Sequence, residues 1–351
     1  MNISKQISLL AGNDILHLQK SIFARGPEYR PTLGAERINR EPLSFIVGEH
    51  PSAYSVSPLM WNAEYKLRSA GDTFLPIDIQ SEKVGGLEAL LDVAFTVGAK
   101  HFRVLTITNP YKIRALEYFR NQAKKFPKRV AISTDAERIG ATNQILVGPD
   151  NVFHVINSDG QGMLSAIETY LAEMGLEDVK DMKIGVIGAG GAALGIAYEL
   201  VKRTSAGRGK VTLFNRTVGK AIDLARRLTE FFPTARVDAH PLDDLARVAV
   251  DQDVLVSSIT DGDPLFDHGV YGLLPQKTLI VDANYGEKSV LAGNTKKQAP
   301  KSNLTVRDGR GMVVEGYIIP SRVLAALWGY EVPSSIYEKI GTLFGYKPRQ
   351  S

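Results

Sequence analysis

The chain contains no cysteine. Disulfides, thiolate metal sites and thiol nucleophiles are therefore excluded, and the composition suits a reducing cytoplasm, the expected compartment. Histidine is scarce, six in 351 residues, and none stands in a ligand spacing such as His-Glu-x-x-His, so no metal is expected. No stretch approaches the ~18 continuous apolar residues of a membrane helix. The opening MNISKQISLLAGND lacks the basic and apolar regions of a signal peptide, and no membrane association is expected. Charge of one sign is also lacking: 42 Lys and Arg stand against 38 Asp and Glu, a net charge of +4. That excess is too small to make nucleic acid a main partner. The basic cluster at 124–129 is expected to be a solvated loop or helix end.

What is present is enough chain for two domains with substantial cores. The organising stretch runs from Lys183 to Lys220. An apolar run at 184–187 suits a buried parallel strand, the glycine-rich Gly188-Ala189-Gly190-Gly191-Ala192-Ala193 follows, and a helical pattern extends to about residue 202. A second apolar run, 211–214, ends in Asn215-Arg216-Thr217. Strand, glycine turn, helix, strand is one βαβ unit, and Gly188, Gly190 and Ala193 fit its dinucleotide fingerprint. Gly188 permits the tight turn, Gly190 lets the backbone approach a pyrophosphate, and Ala193 lets helix and strand pack closely. The N–H groups of the turn, including those of Ala189, Gly191 and Ala192, then face the anion at the positive end of the helix.

The end of the second strand selects the dinucleotide. NAD sites place Asp or Glu there to bond the ribose 2′-hydroxyl. Here Asn215-Arg216-Thr217 stands instead, with Lys220 one helical turn on. A carboxylate would repel a 2′-phosphate, whereas a guanidinium pairs with it, so the expected cofactor is NADP.

The remainder alternates strands (43–48, 74–79, 102–107, 139–147, 152–156, 253–259, 278–282) with helical patterns (82–97, 163–174, 222–228, 313–330, 336–344). This is the pattern of an α/β fold with parallel strands. Residues 1–42 are expected to be an arm with a short apolar face (Ile7, Leu10, Ile15, Leu18) followed by a Gly/Pro/Arg-rich segment, and no chemistry attaches to it. Between the first strand and a helix stand Ser55 and Ser57, two hydroxyls that can face one anion or simply cap the helix. Lys112 follows the strand 102–107, where α/β proteins place ligands. Asp159 opens a helix, as a cap or as a functional carboxylate.

Taken in order, four motifs resemble the shikimate dehydrogenase family, which includes shikimate and quinate dehydrogenases. They are Ser55-Val56-Ser57-Pro58 with Asn62, Thr108-Asn109-Pro110-Tyr111-Lys112, Ala141-Thr142-Asn143, and Asn157-Ser158-Asp159-Gly160. The resemblance spans about residues 43 to 330. It implies an N-terminal α/β substrate-binding domain (43–162, completed by 312–351) and a Rossmann-like NADP-binding domain (163–311), with a cleft between them. It implies that Ser55 and Ser57 bind the substrate carboxylate and that Thr108 and Asn143 hold ring hydroxyls. Lys112 and Asp159 would flank the reacting carbinol, Tyr285 would line the site, and Gly309 and Met312 would join the cofactor set. The expected reaction interconverts a ring alcohol and ketone on a cyclohexene or cyclohexane carboxylate of the shikimate type. Quinate or an amino-substituted analogue are the alternative substrates, and a sensor that binds the acid without turnover is the alternative class. The expected partner is a small ring acid, with a second copy of the chain as a homodimer. The sequence departs from the family where a ring-contacting glutamine is usual: Met312-Val313-Val314-Glu315-Gly316 puts Gly316 there. Tyr54 stands where histidine is common, and the N-terminal arm is additional.

Overall fold

The run Leu43–Gly48 is buried at all six positions, as a strand covered on both faces must be. It is β1 of a computed structural model that describes residues 23–31, 39–80, 85–176, 178–259, 262–286, 289–300 and 302–348. The apolar positions expected at 7–18 and the start of the helix expected at 82–97 lie outside these residues.

The chain divides into two units: one reaches Ser158 and resumes at Tyr317, the other comprises Asp159–Gly316. In the first unit β1 is followed by α1 (Pro51–Tyr54), α2 (Ser57–Leu67), β2 (Thr73–Asp78), α3 (Gly86–Val97), β3 (Phe102–Ile107), α4 (Lys112–Lys125), β4 (Val130–Ile132), α5 (Thr134–Ile139), β5 (Gln144–Val147) and β6 (Phe153–Ile156). Their sheet has the order β2-β1-β3-β5-β6-β4. β1, β2 and β3 are mutually parallel, but β5 runs antiparallel to both β3 and β6. The general expectation of parallel strands is therefore corrected at β5, and the sheet is mixed. The reason is local: the turn at 148–151, closed by Gly148 N–H donating to the Val152 carbonyl at 2.9 Å, joins β5 to β6 without a crossover helix.

The second unit begins with α6 (Asp159–Glu173) and continues through β7 (Lys183–Ile187), α7 (Gly191–Thr204), β8 (Lys210–Asn215), α8 (Val218–Phe231), β9 (Val237–Pro241), α9 (Leu245–Val248), β10 (Val254–Ser257), α10 (Pro264–Asp267), β11 (Leu279–Asp282), α11 (Leu291–Gln298) and β12 (Thr305–Arg307). All six strands are parallel, in the order β12-β11-β10-β7-β8-β9. Counted within the unit this is 6-5-4-1-2-3, the doubly wound dinucleotide-binding order, which reverses between β7 and β10. Helix α12 (Arg310–Trp328) starts in this unit and ends in the first, where α13 (Ser334–Leu343) follows.

Two close approaches in the second unit depend on glycine. A methyl group on Gly160 of α6 would lie 2.0 Å from the Gly195 carbonyl oxygen of α7. One on Gly162 would meet the backbone of Gly316 in α12 at 2.7 Å. In the first unit the buried Trp61 stacks on Phe74 at 5.8 Å and takes the edge of Tyr317 at 5.2 Å. That aromatic cluster joins α2, β2 and α12.

Candidate active site

In the first unit the sequence-predicted groups gather at the C-terminal ends of β1 and β3. Thr108 leaves β3 and donates its N–H to the Val47 carbonyl of β1 at 2.9 Å. The approach requires Gly48, because a methyl group there would fall 2.3 Å from Thr108 Cγ2 and 3.0 Å from the Asn109 carbonyl oxygen. Tyr111 N–H donates to the Thr108 carbonyl at 2.9 Å, closing the turn through the cis Asn109–Pro110 bond, and Lys112 becomes the first residue of α4. Lys112 is half-buried, and its carbonyl accepts from Thr142 N–H at 3.1 Å.

Asn143 lies just ahead of β5, where the sequence pattern had extended the strand back to residue 139. Residues 134–139 are instead helix α5, capped by Ser133 Oγ accepting from Ala136 N–H at 3.1 Å. The Asn143 carbonyl accepts from Ile107 N–H at 2.8 Å. Its buried side chain holds Ser158: Nδ2 donates to Ser158 Oγ at 3.1 Å, and Oδ1 accepts from Ser158 N–H at 2.8 Å. Thr142 Oγ1 donates to the Ile156 carbonyl at 2.6 Å, and Asn157 Nδ2 donates to the Ala141 carbonyl at 3.0 Å. Residues 156–158, which precede Asp159, are thus tied through 141–143 to the start of α4. Ser158 was not singled out by the sequence reading. Its signal was its place in a polar run that directly follows a strand.

The serine pair sits between α1 and α2. Ser55 is 3% exposed, and its Oγ accepts from Ser57 N–H at 3.2 Å. The helix N-cap position is Val56, which makes no side-chain cap, so Ser55 satisfies one of the first orphan N–H groups from one residue upstream. Tyr54 OH lies 3.4 Å from Thr108 Oγ1, joining the serine segment to the β3 turn. Burial pushes the Tyr54 phenol above its ordinary value, which the Thr108 contact offsets in part, so it stays a neutral hydroxyl at physiological pH. Asn62 is structural: Nδ2 donates to the Pro58 and Phe74 carbonyls at 2.7 and 2.9 Å, and Oδ1 accepts from Phe74 N–H at 3.0 Å.

In the second unit Asp159 is the half-buried first residue of α6. The glycine turn leaves β7 at the switch point. Gly188 has φ +113°, a conformation that favours glycine, and a methyl group there would meet Ser258 Oγ at 2.4 Å. Ser258 donates both its N–H and its Oγ to the Ile187 carbonyl at 2.9 Å, fixing the end of β7 from the end of β10. Gly190 caps α7 without a side chain, and methyl groups on Gly190 or Gly191 would meet nothing within 4 Å. The space beside Gly190 and Gly191 is therefore open, while Ala193 is fully buried. Ala189 and Ala192 are half-buried beside them.

β8 ends at Asn215, whose Nδ2 donates to the Thr217 carbonyl at 2.9 Å. Arg216 and Lys220 are exposed, and neither side chain pairs with a carboxylate among the described residues. Asn284 Nδ2 donates to the Ile259 carbonyl at 2.6 Å, tying the loops after β10 and β11, and the half-buried Tyr285 follows. Gly309 N–H donates to the Asn284 carbonyl at 2.8 Å, and Met312 is buried in the first turn of α12. Asp282, fully buried at the end of β11, accepts from Asn284 N–H, Asn284 Nδ2 and Ser289 Oγ, each at 2.9 Å. Burial outweighs these bonds and pushes its carboxyl up to about 6.

A parallel sheet in dinucleotide-binding order, with an open glycine turn at its switch point, defines a dinucleotide-binding α/β unit, here in one chain with a second, mixed α/β unit. Residues 170–284 match the family model described as shikimate/quinate 5-dehydrogenase. The shikimate dehydrogenase (NADP(+)) of Rubrobacter xylanophilus is 32% identical over 225 residues, covering 62% of this chain and 68% of that protein. A crystal structure of a shikimate dehydrogenase in complex with NADP+ is 25% identical with a TM-score of 0.65, covering 86% of this chain and 94% of that one. The shikimate 5-dehydrogenase of Thermus thermophilus in complex with shikimate is also 25% identical, with a TM-score of 0.62 and coverages of 86% and 98%. The chain belongs to the shikimate/quinate dehydrogenase family.

Proposed function

We propose that the protein is an NADP-dependent dehydrogenase that interconverts a ring hydroxyl and a ketone on a cyclohexene carboxylate of the shikimate type. The observation that carries the reading is the end of β8. An exposed guanidinium without a carboxylate partner among the described residues follows Asn215, where an NAD site would carry an acid. The glycine turn fits the rest of the coenzyme: Gly188 makes the bend, and open space in front of Gly190 and Gly191 admits a pyrophosphate to the N–H groups of α7. Arg216, with Lys220, would take the 2′-phosphate, and Gly309, Met312 and Tyr285 would border the nicotinamide end. When bound, the coenzyme supplies the hydride acceptor.

The chain's own residues supply the rest. Ser55 and Ser57 hold the substrate carboxylate, and Thr108 and Asn143 orient the ring. Lys112 Nζ takes the hydroxyl proton as the carbinol hydrogen leaves as hydride, and the resulting ammonium returns that proton in the reverse reaction. Asp159 partners Lys112 and orients the reacting hydroxyl. The first unit is thus the substrate unit and the second the coenzyme unit. Gly316 offers no side-chain hydrogen bond where the family has glutamine, which favours quinate or another substituted ring acid as the second candidate substrate.

Among the described residues no helix is long and apolar enough to cross a membrane. A cytoplasmic site of action, supported by the cysteine-free composition, completes the reading, together with a homodimer to be checked by light scattering. The test is a panel of shikimate, quinate and amino-substituted analogues, each with NADP+ and NAD+, followed at 340 nm. NADPH formation from at least one acid is expected. Binding of an acid without any reduced coenzyme would replace the dehydrogenase by a sensor.

A further inference from the structure

The N-terminal segment is where the chain exceeds its family's pattern, and its described part is docked rather than trailing. Phe23 is 1% exposed. Gly26 N–H donates to the Phe23 carbonyl at 3.0 Å, and Tyr29 N–H to the Gly26 carbonyl at 3.0 Å, so residues 23–29 form a closed double turn. Gly26 is required there, because a methyl group would press on Tyr29 at 2.7 Å and on Leu59 of α2 at 3.1 Å. From α2, Lys66 Nζ donates to the Glu28 carbonyl at 2.6 Å.

This docking sets Arg25 at the rim of a cavity of about 130 Å³ whose wall includes Tyr54, Ser55, Leu59 and Phe344. The Arg25 guanidinium lies 5.6 Å from the centre of the Phe344 ring. Its side chain is exposed and has no hydrogen-bond or ion-pair partner among the described residues. Ser55, on the same wall, is one of the two hydroxyls read above as holding the substrate carboxylate. Both hydroxyls are neutral, so they supply dipoles but no charge to a carboxylate that must shed water to bind. A planar guanidinium lining the same cavity as Ser55 can add two N–H donors and a full positive charge, and it lies over the Phe344 ring.

We propose that Arg25, delivered by the N-terminal segment, is a specificity residue that binds the carboxylate of the ring acid together with Ser55. The inference rests on the assignment of Ser55 to that carboxylate. A contact to a group remote from the reacting carbon acts equally on substrate and transition state, so it is expressed in KM and not in kcat.

The experiment compares wild-type, Arg25→Met and Arg25→Lys proteins on the best ring acid of the panel and on its methyl ester. The methionine keeps the apolar stem over Phe344 while removing the charge, and unchanged melting temperature and NADP+ KM confirm an intact fold. For the acid, Arg25→Met should raise KM by about tenfold, the value of one charge-assisted hydrogen bond, with kcat within about twofold. Arg25→Lys should recover part of the loss. For the ester, which lacks the negative charge, wild type and Arg25→Met should have the same KM. Wild-type KM for the acid in Arg25→Met overturns the inference, and so does an equal rise for acid and ester, which would mark a structural role. A Ser55→Ala control separates the two readings: a raised KM there with none in Arg25→Met removes Arg25 alone. No turnover of any acid by the wild-type protein removes both.

Discussion

Replacing Arg216 by alanine tests the coenzyme assignment most directly, and its size follows from the site's exposure. Arg216 and Lys220 are both exposed, so their attraction for a 2′-phosphate acts through solvent and not through protein interior. A unit charge pair at about 4 Å in water is worth about 1 kcal/mol. A phosphate monoester carries about −1.5 to −2 charges near neutrality, which raises the guanidinium's share to about 2 kcal/mol. Charge-assisted hydrogen bonding can add up to about 1 kcal/mol more in so wet a site. The expected loss is about 2–3 kcal/mol, or roughly 30- to 150-fold in kcat/KM for NADP+. NAD+ has no 2′-phosphate, so its kcat/KM should stay within about twofold. The assay is initial-rate NADPH or NADH formation at saturating ring acid, repeated at low ionic strength and near 0.5 M salt. The Debye length falls well below about 10 Å at the higher salt, so the wild-type preference for NADP+ should shrink while the alanine variant changes little. An equal fall for both coenzymes, or a wild type preferring NAD+, would refute the reasoning.

Three further outcomes follow from the geometry. Lys112→Ala should lower kcat by about two to four powers of ten at saturating acid, the range of general acid–base catalysis, and unchanged turnover would remove the lysine from the chemistry. Gly160→Ala should destabilise the protein by about 1–3 kcal/mol in urea unfolding, because the new methyl meets the Gly195 carbonyl and α6 must move off α7; an unshifted midpoint would contradict that packing. Asp282 has a folded-state pKa of about 6 against 3.8 for a free carboxyl, so the folded protein holds this proton more tightly than the unfolded chain. Its contribution to stability therefore falls as pH rises from about 4 to about 6, by about 3 kcal/mol in all, and the deficit persists above that window. Asp282→Asn should remove this part of the slope, so a wild-type-minus-variant difference that is flat across pH 4 to 7 would contradict the assignment.

How far the fold was legible depended on whether a strand lies inside its sheet or at its rim. β1 and β3 lie inside the sheet and were located to the residue, because burial on both faces makes most of their positions apolar, Ser44, Arg103 and Thr106 excepted. The rim strands β4 and β9 were missed. β4 has three residues and β9 reads Val-Asp-Ala-His-Pro with no position fully buried, so neither carries the apolar signal. The glycine turn was legible because it answers a local demand for a backbone conformation, met at Gly188 with φ +113°. The partners of Ser55 and Asn143 were not, since they depend on which N–H groups the neighbouring segments leave unsatisfied.

The sequence alone determined the alternation of strands and helices, the dinucleotide fingerprint and the order of the four motifs, because these rest on periodicity and on residue types that the backbone or a charge requires. Only the tertiary structure decided that the first sheet is mixed, that Asn143 holds the segment before Asp159, and that the N-terminal segment folds back to set Arg25 on the same wall as Ser55. Those outcomes come from contacts between residues tens of positions apart, whose energies belong to the packed state and leave no periodic trace in the chain.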